Sequence, residues 1–506
     1  MHPAVAEGLT LGIIGVSGVS LGLLFGLRQV VPLTILALAG ATVIRTWAAF
    51  TMWSLGRNEW ALEAWWVAGA LTTTLAILLR WSHWKQGLSA VLLFGVGSLI
   101  ALSSKYLLDI GERHHSDSGN TVALAVVAIQ GEMTDIEPLS AGFKRGIAYP
   151  LMLALGPEGR ILGAFTPLVY LTLITAVAWL AWKIVGHLVS WKSFALILSA
   201  VAAFSMTVPI FRAAMFYLNA HTLMALSMVL LLTGFFLSRQ ENRLSAHTSA
   251  FYVVGGILGV TARIEGIALV LIVFLALVGQ KWWSDSSDRL RLFSVLGLIG
   301  MSLTWWLSSL DSPVLQRFGI SDWLLVVFSL LGAAIAASSW VDRIRGWFLP
   351  AAIAFILIAL AQEVWESTSP LDTVLAQWPN LGLGQGGWGT AAHLFIGSVV
   401  ILGWRHRSRE YQWLLGFSVL TIATILITKT LDGGFGREGF YDSVNRMWLH
   451  AMPIIAVTTL TGYTELVAPG LRSFQPARKR LLGGRHGGTN QQPKLLSRNE
   501  VEDVAR

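Results

Sequence analysis

Fifteen apolar runs, most of them long enough to cross a bilayer, alternate with short polar connections along the 506 residues of this chain. A membrane-crossing helix needs about 20 mostly apolar residues. The runs lie near 9–27, 31–54, 61–79, 87–108, 161–182, 193–211, 213–237, 250–262, 266–280, 292–310, 323–340, 347–361, 390–404, 411–428 and 447–466. Two of them, 250–262 and 266–280, are short. They read as a pair of half-length helices meeting at Arg263, or as one broken helix.

Composition agrees with that pattern. Charged residues make up 13% of the chain and apolar ones 54%, against about 25% charged in a soluble domain. An ordinary cytosolic enzyme and a disordered scaffold are both excluded. The absence of Cys removes disulfides, thiolate metal sites and Cys nucleophiles together. The expected fold is all-α, a polytopic transmembrane bundle of about 13–15 spans.

Positive charge sets the expected orientation, because Lys and Arg are retained on the cytoplasmic side. If the spans alternate, one set of loops carries Arg28, Arg80, Lys85, Lys183, Lys192, Arg239, Arg243, Lys281, Arg289, Arg291, Arg343, Arg345, Arg405, Arg407 and Arg409. With the tail, that side holds 23 of the 36 Lys and Arg. The N-terminus then faces out. It lacks the charged segment that opens a cleavable signal peptide. The stretch 471–506 is basic, Gly-rich and polar, and reads as a disordered cytoplasmic tail near anionic head groups. The formal charge of +8 is concentrated there and in the inner loops, so it does not point to nucleic acid.

Three outer stretches are long: 109–160, 362–389 and 429–446. The first holds two short apolar pieces, near 121–130 and 147–155, which read as interfacial or re-entrant helices. It also carries Asp109, Glu112, Asp117, Glu132, Asp135 and Glu137 beside His114 and His115. Acids at the rim of a membrane domain supply a general base or hold a divalent cation such as Mg or Mn; otherwise they are solvated loop charge. For Asp117 the plainer reading is a helix cap. Lys144 and Arg145, just before "GIAYP", suit a phosphate at the membrane surface, or simple head-group anchoring.

Arg263 and Glu265 sit inside an apolar stretch. A charge at the bilayer centre costs about 2.5–3.5 kcal/mol on insertion scales, so such residues face a cavity or a partner. Two apart on one helix they share no face; a break at Arg263 puts both at the outer rim. Arg446 and His450, four apart at the start of the last span, share a face suited to a lipid phosphate, or to snorkelling. The pairs Trp65–Trp66, Trp282–Trp283 and Trp305–Trp306 read as interfacial anchors. In the second outer loop, Trp378 or Trp388 is a candidate platform for a sugar ring.

In order along the chain, these features resemble the GT-C fold membrane glycosyltransferases. That group includes protein mannosyltransferases and aminoarabinose transferase-like enzymes. The resemblance rests on the span 87–108, Asp117, the helix "TVALAVVAIQGE", the stretch "KRGIAYP", the step Arg263–Glu265–Gly266, and Arg446 with His450 and Pro453. It covers roughly 87–466. It departs from the family pattern where Ser118, Gly119 and Asn120 stand in place of a second acid or Tyr, and three spans precede the usual first one.

The resemblance implies a GT-C-like organisation: extra helices over 1–86, a catalytic module over 87–300, C-terminal spans over 301–470 and the tail. It implies an inverting enzyme that moves a hexose or pentose from a polyprenyl-phosphate donor to a glycan, lipid or protein acceptor. The site would face the periplasm or exterior of a bacterial inner membrane. Asp117 would be the base, with Glu112, Glu132 or Asp135 as a second acid. Lys144, Arg145, Arg263 and Arg446 would hold the donor phosphate, and His450 and Glu265 would orient acceptor or phosphate. A transporter, or a polymerase or ligase of lipid-linked glycans, is the competing expectation.

Overall fold

The computed structural model describes residues 2–106, 121–126, 146–156, 160–210, 220–263, 265–279, 285–309, 322–339, 343, 347, 354, 370–383, 385–388, 391–405, 408–431 and 443–482. Among the described residues the fold is all-helical, with no strand. Six helical segments among the described residues are long and apolar enough to cross a membrane: Pro3–Leu24, Val30–Ser54, Ala61–Tyr106, Phe165–Val185, His221–Glu241 and Arg446–Ala468. By length and composition the chain is a multi-pass membrane protein.

The helices in chain order are α1 (Pro3–Leu24), α2 (Val30–Ser54), α3 (Ala61–Arg80), α4 (Trp84–Tyr106), α5 (Ala148–Leu153), α6 (Phe165–Val185), α7 (Trp191–Thr207), α8 (His221–Glu241), α9 (Ala246–Ala262), α10 (Glu265–Val278), α11 (Ser286–Ser309), α12 (Asp322–Ala337), α13 (Pro370–Leu381), α14 (Ala391–Arg405), α15 (Arg409–Leu431) and α16 (Ser443–Leu482). All but α5 and α13 fall on the apolar runs, to within a few residues at most ends, and α16 continues past the run 447–466 to Leu482. The run 347–361 lies outside the described residues, apart from Trp347 and Ala354.

The segment Ala61–Tyr106 is not one rod. Gly69 of α3 faces Ser17, whereas Phe94 and Leu102 of α4 face Gly15 and Gly8. The chain therefore reverses at the 3-10 turn Trp81–His83, and α1 lies between the two arms. The same reasoning resolves the two short runs near 263. A Cβ on Gly259 would meet Val270, and one on Gly266 would meet the carbonyl of Gly259. Helices α9 and α10 are thus an antiparallel hairpin, not a broken helix. At 1.5 Å per residue, α10 is only about 21 Å long.

Small residues let the first two helices approach. A Cβ on Gly18 would fall 1.8 Å from the carbonyl oxygen of Ala37, and one on Gly40 would fall 3.2 Å from that of Gly18. Close backbone contact of this kind substitutes for the hydrophobic effect, which lipid does not supply between helices. The centre of the bundle is α8, buried along nearly its whole length, with α6, α9 and α16 packed on it.

The two ends of the bundle differ. At one end Arg28, Lys183 and Arg243 line a polar cavity with Glu241 and His247. Arg80 reaches the Leu24 carbonyl there, and Arg291 donates to that of Leu244. Arg239 stacks over Trp413 beside Arg409. These are the basic loops that alternation places on one side.

Three readings change. Trp65 and Trp306 are each 1% exposed, so they are core residues and not interfacial anchors; Trp66 remains 40% exposed. Much of what is described of the first long loop is buried as well, although Ala123, Val126 and Arg160 are exposed. Thr121, Leu124 and Ala125 are enclosed, as is every residue of α5, and Leu124 joins Ile147 and Leu151 against Phe50 and Trp306. They are packed pieces of the helical domain and not helices lying on its surface, which leaves the re-entrant alternative. Trp388 is fully buried in an apolar cluster with Trp448 and Ile210, so it offers no face to a sugar, whereas Trp378 is exposed.

The glycine contacts give a paired test. Gly18→Val should cost about 1–3 kcal/mol, the range for overpacking, and lower the melting temperature in detergent. Gly12→Ala, which meets nothing within 4 Å, should leave melting unchanged or raise it. Equal melting of Gly18→Val and wild type would refute the close α1–α2 contact.

Candidate functional site

The tip of the α9–α10 hairpin brings two buried charged side chains together, Arg263 and Glu265. Helix α9 ends because Arg263 turns to an extended conformation, with φ −158° and ψ 153°. The chain re-enters a helix at Glu265. Gly266 allows the turn to close, since any Cβ there would strike the Gly259 carbonyl at 1.8 Å and the sulfur of Met224 at 2.9 Å.

In this turn Arg263 and Glu265 do meet, because they no longer share one helix. Arg263 Nε donates to Glu265 Oε2 and its Nη2 to Oε1, both at 3.1 Å. Two parallel charge-assisted bonds fix the guanidinium plane. Both residues are below 10% exposed. Each charge thus has the other as a partner, two residues away.

The remaining edge of the guanidinium leads to two histidines. Arg263 Nη1 donates to His221 Nε2 at 3.4 Å. His221 Nδ1 lies 2.7 Å from His450 Nε2. Arginine can only donate, so His221 Nε2 is an acceptor and its proton sits on Nδ1. That proton goes to His450 Nε2, which leaves the His450 proton on Nδ1. The chain of bonds therefore has one direction, from Arg263 through His221 to His450. It ends in an N–H that is buried and finds no partner among the described residues. Such a group costs about 1–3 kcal/mol unless something accepts from it.

The surroundings place this donor at the end opposite the basic loops. His221 begins α8, and α16 carries Arg446, one turn before His450 and itself 9% exposed. Trp448 donates to Gln377 of α13 at 3.3 Å, tying the second long loop over the start of α16. The first long loop docks from the other side. Ile147 N donates to the Thr261 carbonyl at 2.8 Å. Gly146, at φ +66°, lies where a Cβ would come within 2.2 Å of the Ala262 oxygen.

Of the candidate residues read from the chain, Arg263, Glu265 and His450 come together, with Arg446 beside them on α16. Asp117, Glu112, Glu132, Asp135, Lys144 and Arg145 lie outside the described residues. No group of three metal-binding side chains occurs among the described residues.

Three buried polar features are absent from the candidates read from the chain. His221 opens an apolar helix and shows its role only through His450, 229 residues away. Arg45 is buried within α2, where its Nη1 donates to the Ala61 carbonyl. Glu7 of α1 accepts from Lys105 at 2.8 Å and Tyr106 at 2.9 Å. An ionisable residue at membrane depth is a signal in itself, and Arg45 was legible on that ground.

No family model, curated protein or solved structure matches this chain.

The Arg263–Glu265 pair yields a stability test. Glu265→Gln leaves a buried guanidinium uncompensated and should cost about 3–5 kcal/mol. Replacing both residues by Met should restore part of that loss, as measured by thermal melting in lipid nanodiscs. A single variant milder than the double would contradict the pairing.

The histidines yield a second. ¹⁵N spectra of histidine-labelled protein, assigned with His221→Asn and His450→Asn, should show both rings protonated on Nδ1. A His450 ring protonated on Nε2 would reverse the direction of the chain.

Proposed function

We propose that the protein is a GT-C type glycosyltransferase acting on a polyprenyl-phosphate-linked sugar. The observation that carries this reading is the directed chain Arg263–His221–His450. It presents a buried N–H donor, beside Arg446, where pieces of both long loops dock. Donors held in place before the reaction stabilise charge that develops on a leaving phosphate without reorganisation.

On this reading the basic end faces the cytoplasm and the site faces out, in a bacterial inner membrane. The lipid phosphate accepts from His450 and Arg446, and Lys144 and Arg145, which directly precede Gly146 in the chain, are further candidates to hold it. Arg263 acts mainly through His221, since Glu265 already holds its charge. Asp117 takes the proton from the acceptor hydroxyl. That oxygen attacks the anomeric carbon opposite the phosphate, the carbon–oxygen bond to phosphate breaks, and the configuration inverts. The acceptor is a glycan, lipid or protein, and the sugar a hexose or pentose. The hairpin at Arg263 weighs against a transporter, whose sites are typically built from discontinuous helices at the midplane.

The test is sugar transfer from a labelled polyprenyl-phosphate donor pool into membrane acceptors. General-base help is worth about 10²–10⁴-fold, so Asp117→Asn should lose at least that much at unchanged expression and melting temperature. Transfer equal to wild type would remove Asp117 from the mechanism.

A further inference from the structure

A second cavity, of about 1070 Å³, opens between α2 and α3 and is closed behind by α9 and α11. Its walls are apolar, with Val43, Trp47, Ala64, Ala68, Ile257 and Leu298 among them. The polar groups along these walls are already used. Thr51 and Thr72 donate to the carbonyls of Trp47 and Ala68 on their own helices, and Trp47 Nε1 donates to Ser302 at 2.9 Å. From Trp60 to Thr72 the groove runs about 18 Å along α3, and it reaches Leu21 and Phe25 near the basic end.

Charge is confined to the other end. Arg57 and Glu63 line the mouth, with Trp60, 55% exposed, between them in the chain. Arg57 approaches Glu59 only at 3.9 Å, with both side chains more than half exposed. A pair that loose is worth little, so it leaves the Arg57 guanidinium able to take a ligand, while Glu63 is exposed and acts electrostatically on the buried Arg45. The mouth thus offers one guanidinium and one carboxylate above a long apolar slot. A bilayer lipid with a phosphate and an ammonium in its head group complements both.

We propose that this groove binds a zwitterionic aminophospholipid, its phosphate on Arg57, its ammonium on Glu63 and one acyl chain between α3 and α9. The charged mouth of this site lies on helices that precede the GT-C-like stretch, and the proposal stands independently of the sugar-transfer reading. Because α9 ends at Arg263, the bound lipid also links the first helices to the helix that carries the buried charge.

The experiment counts lipids retained by the purified full-length chain, by mass spectrometry after transfer into nanodiscs of mixed amino- and glycerol-headed phospholipids and back into detergent. One aminophospholipid per chain is expected. Arg57→Gln, at an exposed position that leaves the fold intact, should reduce retention about ten- to a hundred-fold, the worth of a charge-assisted hydrogen bond. Glu63→Gln should abolish the preference for the amino head group. Retention of the glycerol-headed lipid at equal level by wild type, or no effect of Arg57→Gln, would overturn the assignment. The chain has no Cys, so Ala64→Cys carrying a photoreactive group reports the occupant directly. A lipid adduct is expected; an adduct to a peptide of this chain, or to no partner, would show that the groove holds something else.

Discussion

A buried guanidinium must be matched, and the end of the bundle opposite the basic loops is organised around that need. Arg263 meets it locally. The chain leaves α9 in an extended conformation, turns at Gly266 and returns with Glu265 against the guanidinium in a two-pronged contact. Because the pair neutralises itself, a further N–H of Arg263 goes to a neutral neighbour. His221 takes it and passes the polarity to His450. One local electrostatic requirement thereby produces an oriented donor on a helix far along the chain.

The scaffold that holds this centre depends on a different interaction. Between helices in lipid, packing replaces the hydrophobic effect, so close approach is achieved with small side chains. Gly18 against Ala37, Gly266 against Gly259 and Gly146 against Ala262 are three such approaches. The last two converge on the hairpin that carries Arg263. The position of the buried charge therefore follows from residues that carry none. Polarity of the bundle is the other organising feature: cations collect at one end, and the histidine chain, Glu7 with Lys105, and the mouth of the apolar groove lie toward the other.

Much of this architecture was legible in the chain because span position is a local property. A run of apolar residues specifies its own helix, which is why 61–79 and 411–428 appear as Ala61–Arg80 and Arg409–Leu431. The turn at Arg263 was legible for the same reason, as an interruption of such a run. Partnerships were not legible. Glu7 and Lys105 are 98 residues apart and His221 and His450 are 229 apart, and no local pattern announces either pair. Tryptophan near a helix end reads alike whether it anchors in head groups or, as with Trp65 and Trp306, fills the core. The two short pieces of the first long loop were found in place, but their burial depends on what α2 presents to them.

The central claim is that the donor at His450 exists to meet a phosphate oxygen of a lipid. Electron cryomicroscopy of the protein in nanodiscs with a short polyprenyl phosphate tests it directly. The expected result is phosphate density at about 3 Å from His450 Nδ1, a normal hydrogen-bond distance, with the Arg446 guanidinium on the same group. Phosphate bound elsewhere, or a segment of the chain itself accepting from His450 Nδ1 whether or not lipid is present, would contradict the claim.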